Sequence, residues 1–232
     1  MIKEKISRPD IIPLLPGKLL TCTGDIGCFM YDIKHLVSCS EKMYQTLYRA
    51  TLWHVAEFCQ AMPYSETEFN WDNGFLLRQL SLAVAALKLR RGFLFPKNAG
   101  AESIAAEEAQ WTYAIFSGSL IKNLYQLEEN RVVNCYQLQG DLVRTWSPTN
   151  GSLYKKYFYY NMRFDTKESF TKRDVLMAAI SQYIFPIEVI RWLSTNTDLF
   201  KLWWDVVLHQ ASLNNEVEAI IQLAGNKLGM QL

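Results

Sequence analysis

Three histidines, His35, His54 and His209, are all the imidazole the chain has. His54 and His209, with the carboxylates of Glu66, Glu68 and Asp72, make up a candidate ligand set for a hydrolytic metal. A mononuclear site needs three or four such ligands, held by further hydrogen bonds. The carboxylates lie within one short stretch and the two histidines far from it and from each other, so only long-range folding could gather the set. His54 sits on the apolar face of a helical pattern, and a packed core histidine is the expectation there. Cys22, Cys28, Cys39, Cys59 and Cys135 form an odd set without CxxC spacing. That pattern argues against a disulfide framework or a zinc knuckle and for buried thiols in a reducing cytosol. The sequence has no Gly-rich phosphate loop, nucleophile elbow or HExxH helix.

A second chemistry is nucleic-acid stacking. Tyr154, Lys155, Lys156, Tyr157, Phe158, Tyr159 and Tyr160 mix aromatic rings with positive charge, as a single-strand platform would require. Packed rings with lysine stems lying along them are the plainer reading. Lys88, Arg90, Arg91, Lys97, Lys155 and Lys156 are the cations that a DNA-binding face would use. Against that, 24 basic residues meet 23 acidic ones, for a formal charge of +1. A nearly neutral chain sets up no global field for a polyanion, so protein partners are expected and DNA is not.

The elements that must position these groups follow from periodicity. With 232 residues, half of them hydrophobic, the chain can bury a large core as one compact unit. Residues 1–37 read as an N-terminal arm with short helices, and 38–232 as the main body. Ser38 and Glu41 have capping-box spacing and open a helical pattern over 42–62. Asn73 and Gly74 open a second helix that runs to Arg90 and Arg91. A third spans 103–128, and its alanines, Gly118 and Ser119 allow close helix approach, which marks it as central. Residues 131–146 alternate around Gly140, as in a two-stranded β element. Thr171 and Asp174 cap a further helix that Pro186 breaks, and two more helices follow with a break at Asn214 and Asn215. Trp203 and Trp204 point about 100° apart on their helix, so burying both needs a broad cover. Either one left uncovered is an interface anchor, and Tyr157 and Tyr159 are further candidates for partner contact. The uncharged run over 175–187 is shorter than the roughly 20 residues a membrane span requires.

One ordered set of short motifs carries a resemblance: PYSE at 63–66, DNGFLLRQ at 72–79, LRRG at 89–92, WTYAIF at 111–116 and WSP at 146–148. Together they resemble the HD-domain relaxases of the MobH or TraI type found in conjugative elements, over about residues 14–207. The resemblance implies a mainly α, HD-like helical bundle with a metal site. In that family a histidine-rich segment, a histidine after the LLR string and an adjacent His-Asp pair form the site. Carried over, these positions fall on Glu68, Phe69 and Asn70, on Gln79, and on Lys122 and Asn123. Every one departs from the family pattern, while Gly74, Leu76, Leu77, Arg78, Trp111 and Tyr113 keep the frame. Lysine brings a fixed positive charge where a cation would sit, and asparagine is a poor substitute for a carboxylate.

The resemblance therefore implies a pseudoenzyme with no metal and no cofactor, its former pocket plugged by Phe69 and Lys122. It looks like an accessory subunit of the Dot/Icm type IV coupling complex, the DotY or DotZ class, which docks onto a coupling ATPase and secretion adaptor subunits. Such a subunit is cytoplasmic and reaches the inner membrane only through its complex. The alternatives are an HD phosphohydrolase or relaxase with a rebuilt site, and a DNA-binding conjugation accessory protein.

Overall fold

A computed structural model describes residues 11–22, 24–165, 172–212 and 214–232. The described chain is mainly helical, with one small antiparallel sheet. Helix α1 (Gly17–Leu20) and helix α2 (Gly24–Val37) follow a two-residue strand, β1 (Ile12–Pro13). The stretch 21–37, ambiguous in the sequence, is thus largely the 14-residue helix α2. It buries Ile26, Ile33 and Val37. The pattern expected over 42–62 is composite: α3 (Glu41–Met43), a π-helical stretch over Tyr44–Arg49, then α4 (Ala50–Cys59). Its cap is Ser40, not Ser38, because Ser40 Oγ accepts from Met43 N while Ser38 turns at φ +45°. The wider π turn brings Tyr48 to 5.0 Å from Phe116 and 5.1 Å from Tyr113, ring to ring.

Helices α5 (Gly74–Arg90) and α6 (Ala101–Ile121) form the centre. Every residue of α6 from Gln110 to Ile121 is buried, which is the broad cover expected of a central helix. Gly118 explains the close approach. A Cβ there would lie 3.0 Å from Ile221 and 3.1 Å from Val206. Those residues belong to α11 (Glu216–Leu228) and α10 (Thr197–Val207), the two helices that close over α6 from the C-terminal end of the chain. The helix expected over 103–128 is shorter than the periodicity suggested. It stops at Ile121, because Lys122 takes extended dihedrals and Asn123 a left-handed one (φ +67°). The short α7 (Gln126–Glu129) resumes after the turn.

The β element is also larger than the expected hairpin. Strands β2 (Arg131–Tyr136) and β3 (Leu142–Thr145) are joined by β4 (Tyr159–Phe164) in the order β1-β4-β2-β3. Register runs from Arg131↔Phe164 to Tyr136↔Tyr159, with Ile12↔Tyr160 on the far side. The dense aromatic run had concealed β4, since the strand starts inside it and alternates in polarity only over its last four residues, Asn161 to Phe164. β3 is the outer strand, and all four of its residues are exposed. Helices α8 (Arg173–Ile184) and α9 (Ile187–Leu193) flank Pro186. Asp174 Oδ1 accepts from Val175 N at 2.8 Å, while Thr171 lies outside the described residues. Among the described residues no single helix is long and apolar enough to cross a membrane.

Gly74 is where the fold and the candidate site depend on each other most tightly. A Cβ there would sit 1.9 Å from the carbonyl oxygen of Phe69, a backbone atom fixed by its bond from Tyr64 N at 2.9 Å. Gly74→Ala is expected to destabilise the protein by about 2–4 kcal/mol in urea denaturation. A loss under about 0.5 kcal/mol would show that the 63–73 loop moves freely.

Candidate functional site

Three helices converge where α6 ends. Gln79 Nε2 on α5 donates to the Lys122 carbonyl, and Lys122 Nζ lies 2.6 Å from Glu218 Oε1 on α11. Gln222 Nε2 donates to the same carboxylate oxygen at 2.6 Å. Asn123 Nδ2 points to the Tyr64 hydroxyl at 3.4 Å. Lys122 and Asn123 are 5% and 1% exposed, so this polar cluster is internal. Asn215 caps α11 by accepting from Val217 N and Glu218 N, both at 3.0 Å. The cap fixes the first turn from which Glu218 reaches Lys122.

A divalent cation does not fit this donor set. The carboxylate nearest the expected His-Asp position is already neutralised by an ammonium, and Gln79 and Asn123 offer only neutral amide oxygens. Among the described residues no group of three His, Cys, Asp or Glu converges as a metal site would require. The rebuilt ligand set also stays dispersed. Glu68 lies 3.5 Å from Arg78 Nε, His54 Nδ1 lies 2.8 Å from the Ile184 carbonyl, and Glu66 and Asp72 are exposed.

His209 packs edge-on against Tyr125, ring centroids 4.9 Å apart. Burial first, then the positive charges of Lys122 and Arg173, push its pKa down to about 3. The imidazole is therefore neutral at ordinary pH.

Phe69, expected beside Lys122, turns away from it: its ring lies 5.2 Å from that of Trp71, tilted by 36°, and lines a surface groove with Phe29, Cys28, Asp25 and Asp32. Its backbone at φ +49° belongs to the 63–73 loop, whose turn sets that direction. Asn70 is exposed, its amide near the Glu66 carbonyl. The loop is held from below by Arg131, which donates to the carbonyls of Pro63 (2.9 Å) and Tyr64 (2.7 Å). Burial lowers the Arg131 pKa to about 10. Arg78, fully buried, stacks 4.0 Å from the centre of the Tyr64 ring. Glu218, Tyr64 and Arg131 went unnoticed in the sequence. Each looks like an ordinary helix, loop or strand residue until the helices are packed.

Of the partner candidates, Trp203 is fully buried, donating from Nε1 to Ser117 Oγ at 2.9 Å. It is core and offers a partner no surface. Trp204 is half-buried beside Phe200, Phe185, Ile187 and Ile190. Tyr157 and Tyr159 are half-buried, while Tyr160 faces the core from β4. Only Tyr159 and Tyr160 of the run lie in β4, on opposite sides of it, and Tyr154 to Phe158 belong to the turn before the strand, so the run is split between two kinds of structure. The cations also disperse. Lys88 pairs with Asp32 (3.8 Å), Lys97 with Glu216 (3.4 Å), Lys156 binds the Asn150 carbonyl, and Arg90 is buried.

Compared with known proteins, the chain matches the model of one family, TraI_2, described as "Putative helicase", over residues 21–228. No curated protein matches it.

Two outcomes follow from the cluster. Lys122→Met strands the Glu218 carboxylate in the interior and is expected to cost about 3–5 kcal/mol in urea denaturation. Adding Glu218→Leu should recover most of that loss, and a double variant no better than the single one would deny the pairing. His209 has a native pKa of about 3 against an ordinary 6.5, so the unfolded state binds its proton first. Its contribution is complete above pH 6.5 and is lost as pH falls from there toward 3, by up to about 1.4 kcal/mol per unit. His209→Gln should flatten the stability-pH curve in that window, and an unchanged slope would place the acid sensitivity elsewhere.

Proposed function

The chain belongs to the TraI_2 family, and from that premise we propose that it is a non-catalytic adaptor subunit of a conjugation or type IV secretion coupling complex. On this reading an HD-like relaxase frame has lost its metal ligands and kept its fold. The observation that carries it is the buried Lys122–Glu218 pair, 2.6 Å long, on the position where the family resemblance calls for a His-Asp pair. A buried ion pair puts a fixed ammonium where a cation would sit, and the free acceptors beside it, Gln79 Oε1 and Asn123 Oδ1, are neutral amides, which supports the loss of phosphodiester chemistry.

The family's description names a helicase, an activity with its own sequence requirement. A nucleotide-driven helicase needs a phosphate-cradling loop, and residues 21–228 contain no GxxxxGK[ST] string. Near-neutral charge favours protein partners over DNA. The expected partners are a coupling ATPase and secretion adaptor subunits, in the manner of the Dot/Icm accessory subunits of the DotY or DotZ class. Trp204, Tyr157 and Tyr159 are the candidate contact residues. The protein then works on the cytoplasmic side and meets the inner membrane through its complex.

Tagged purification from the native host at mild salt, with mass spectrometry of co-purifying proteins and metal analysis of the product, tests this. Stoichiometric recovery of a coupling ATPase, reduced by Trp204→Ala, is the expected result. Recovery with bound DNA and a stoichiometric divalent metal would overturn it and return the enzyme reading.

A further inference from the structure

A mostly apolar groove of about 460 Å³ runs beside α2. Asp25, Cys28, Phe29 and Asp32 recur at spacings of three and four, so they share one face of α2 over two turns and line the groove. Ile26 and Ile33, on another face of the same helix, are buried in the core. Leu77 of α5 and the loop residues Phe69 and Trp71 complete the apolar wall.

Two features single this groove out. The first is Trp71, which is 54% exposed on a loop whose backbone is pinned. Asn73 N donates to the Ala61 carbonyl at 3.0 Å, Gly74 N to the Trp71 carbonyl at 2.9 Å, and Tyr64 N to the Phe69 carbonyl at 2.9 Å. A large ring held out by a fixed backbone gives up little freedom when it is covered, which is the condition of an interface anchor. The second feature is charge. Asp25 and Asp32 stand seven residues apart, about 10 Å along the helix, with Phe29 between them. Asp25 suits the start of α2, but Asp32 lies two turns on, beyond the reach of the helix dipole. Among the described residues no lysine, arginine or histidine lines the groove. None stands over Phe29, Phe69 or Trp71 either, although other rings of the chain take a cation. Lys88 approaches Asp32 only from outside, at 3.8 Å and with both side chains about half exposed, so the pair is weak and the carboxylate is open to a stronger one.

We propose that this groove docks an amphipathic helix of a partner protein. Two basic residues of that helix, seven positions apart, meet Asp25 and Asp32, and a large apolar residue between them packs on Phe29, Phe69 and Trp71. The spacing follows from α2 itself, since a helix lying along it has the same rise per residue. A second copy docking by the same face is the poorer occupant, because it would bring its own Asp25 and Asp32 against the first pair. The surface shares no residue with the Lys122 cluster or with Trp204, Tyr157 and Tyr159, so the adaptor reading and this one stand or fall separately.

The test is fluorescence anisotropy of a labelled, alanine-rich helical peptide titrated with the full chain. The peptide carries lysines seven positions apart, with leucine and phenylalanine midway between them. Saturable binding with a Kd of about 100 μM or tighter is expected. Glutamates in place of the lysines, or one lysine moved to the opposite face, should weaken it at least about ten-fold. Trp71→Ala should weaken the lysine peptide by about ten-fold and leave the thermal transition unchanged, since the ring is exposed. Asp25→Asn combined with Asp32→Asn should remove the preference for lysine over glutamate. No saturation up to about 1 mM, equal affinity for the glutamate peptide, or unchanged affinity in Trp71→Ala would overturn the proposal. So would a dimer of the chain alone, seen by sedimentation and dispersed by Trp71→Ala, which would give the groove to a second copy.

Discussion

The ion pair between Lys122 and Glu218 is the constraint from which the interior takes its order. It closes 96 positions of sequence in a single 2.6 Å contact, at the point where α6 ends and the chain must turn. A helix terminus inside a protein exposes carbonyls that need donors. Gln79 supplies one to Lys122 O from the neighbouring helix, so α5, α6 and α11 are joined at one residue through its backbone and its side chain together. The arrangement requires lysine rather than an apolar residue only because Glu218 is already there, and Glu218 is there because Asn215 fixes the first turn of α11. Removing either charge leaves the other with no water to answer it.

Around that joint the packing is aromatic and tight. Tyr48, Tyr113 and Phe116 interlock, and the Thr51 and Tyr113 hydroxyls are 2.7 Å apart. Trp203 adds a buried N–H that needs Ser117. A central helix carrying Gly118, Ser117 and Ser119 can accept these neighbours at close range because its own side chains take little room. The two polar serines then answer the donors that arrive or bond back to the helix. Beside that helix Gln79 holds the Lys122 carbonyl, while Gln79 Oε1, Asn123 Oδ1 and Glu218 Oε2 are buried with no protein donor among the described residues.

Helix existence and order were legible in the sequence wherever period and punctuation agreed. Asn73 and Gly74 marked the start of α5, Pro186 the break between α8 and α9, and Asn215 the start of α11. Boundaries set by tertiary contact were not. The end of α6 at Ile121 depends on a side chain of α5 reaching the Lys122 carbonyl, and no local pattern records that. The strand β4 was hidden because its start lies inside an aromatic and lysine-rich run, and the alternation that follows, Asn161 to Phe164, is only four residues long. Of the candidate site, the substituted positions were visible through resemblance, but their partners were not. Glu218 reads as one more acidic residue in the first turn of a surface-like helix. Phe69 illustrates the opposite failure: its size suggested a plug, and a loop dihedral of +49° sent it elsewhere.

The outer strand of the sheet has consequences for how the protein behaves in a crowded solution. β3 has one hydrogen-bonded neighbour, and on its free side Leu142 and Val143 stand exposed at 61% and 44%. An open edge of this composition is a template on which another extended chain can align. What interrupts it is brevity, four residues in all, and the guanidinium of Arg144 opposite Cys135. A second copy approaching edge to edge would bring a second Arg144 beside the first, and like charges at that spacing repel. That positive charge is the kind of residue by which an edge strand resists alignment with another extended chain.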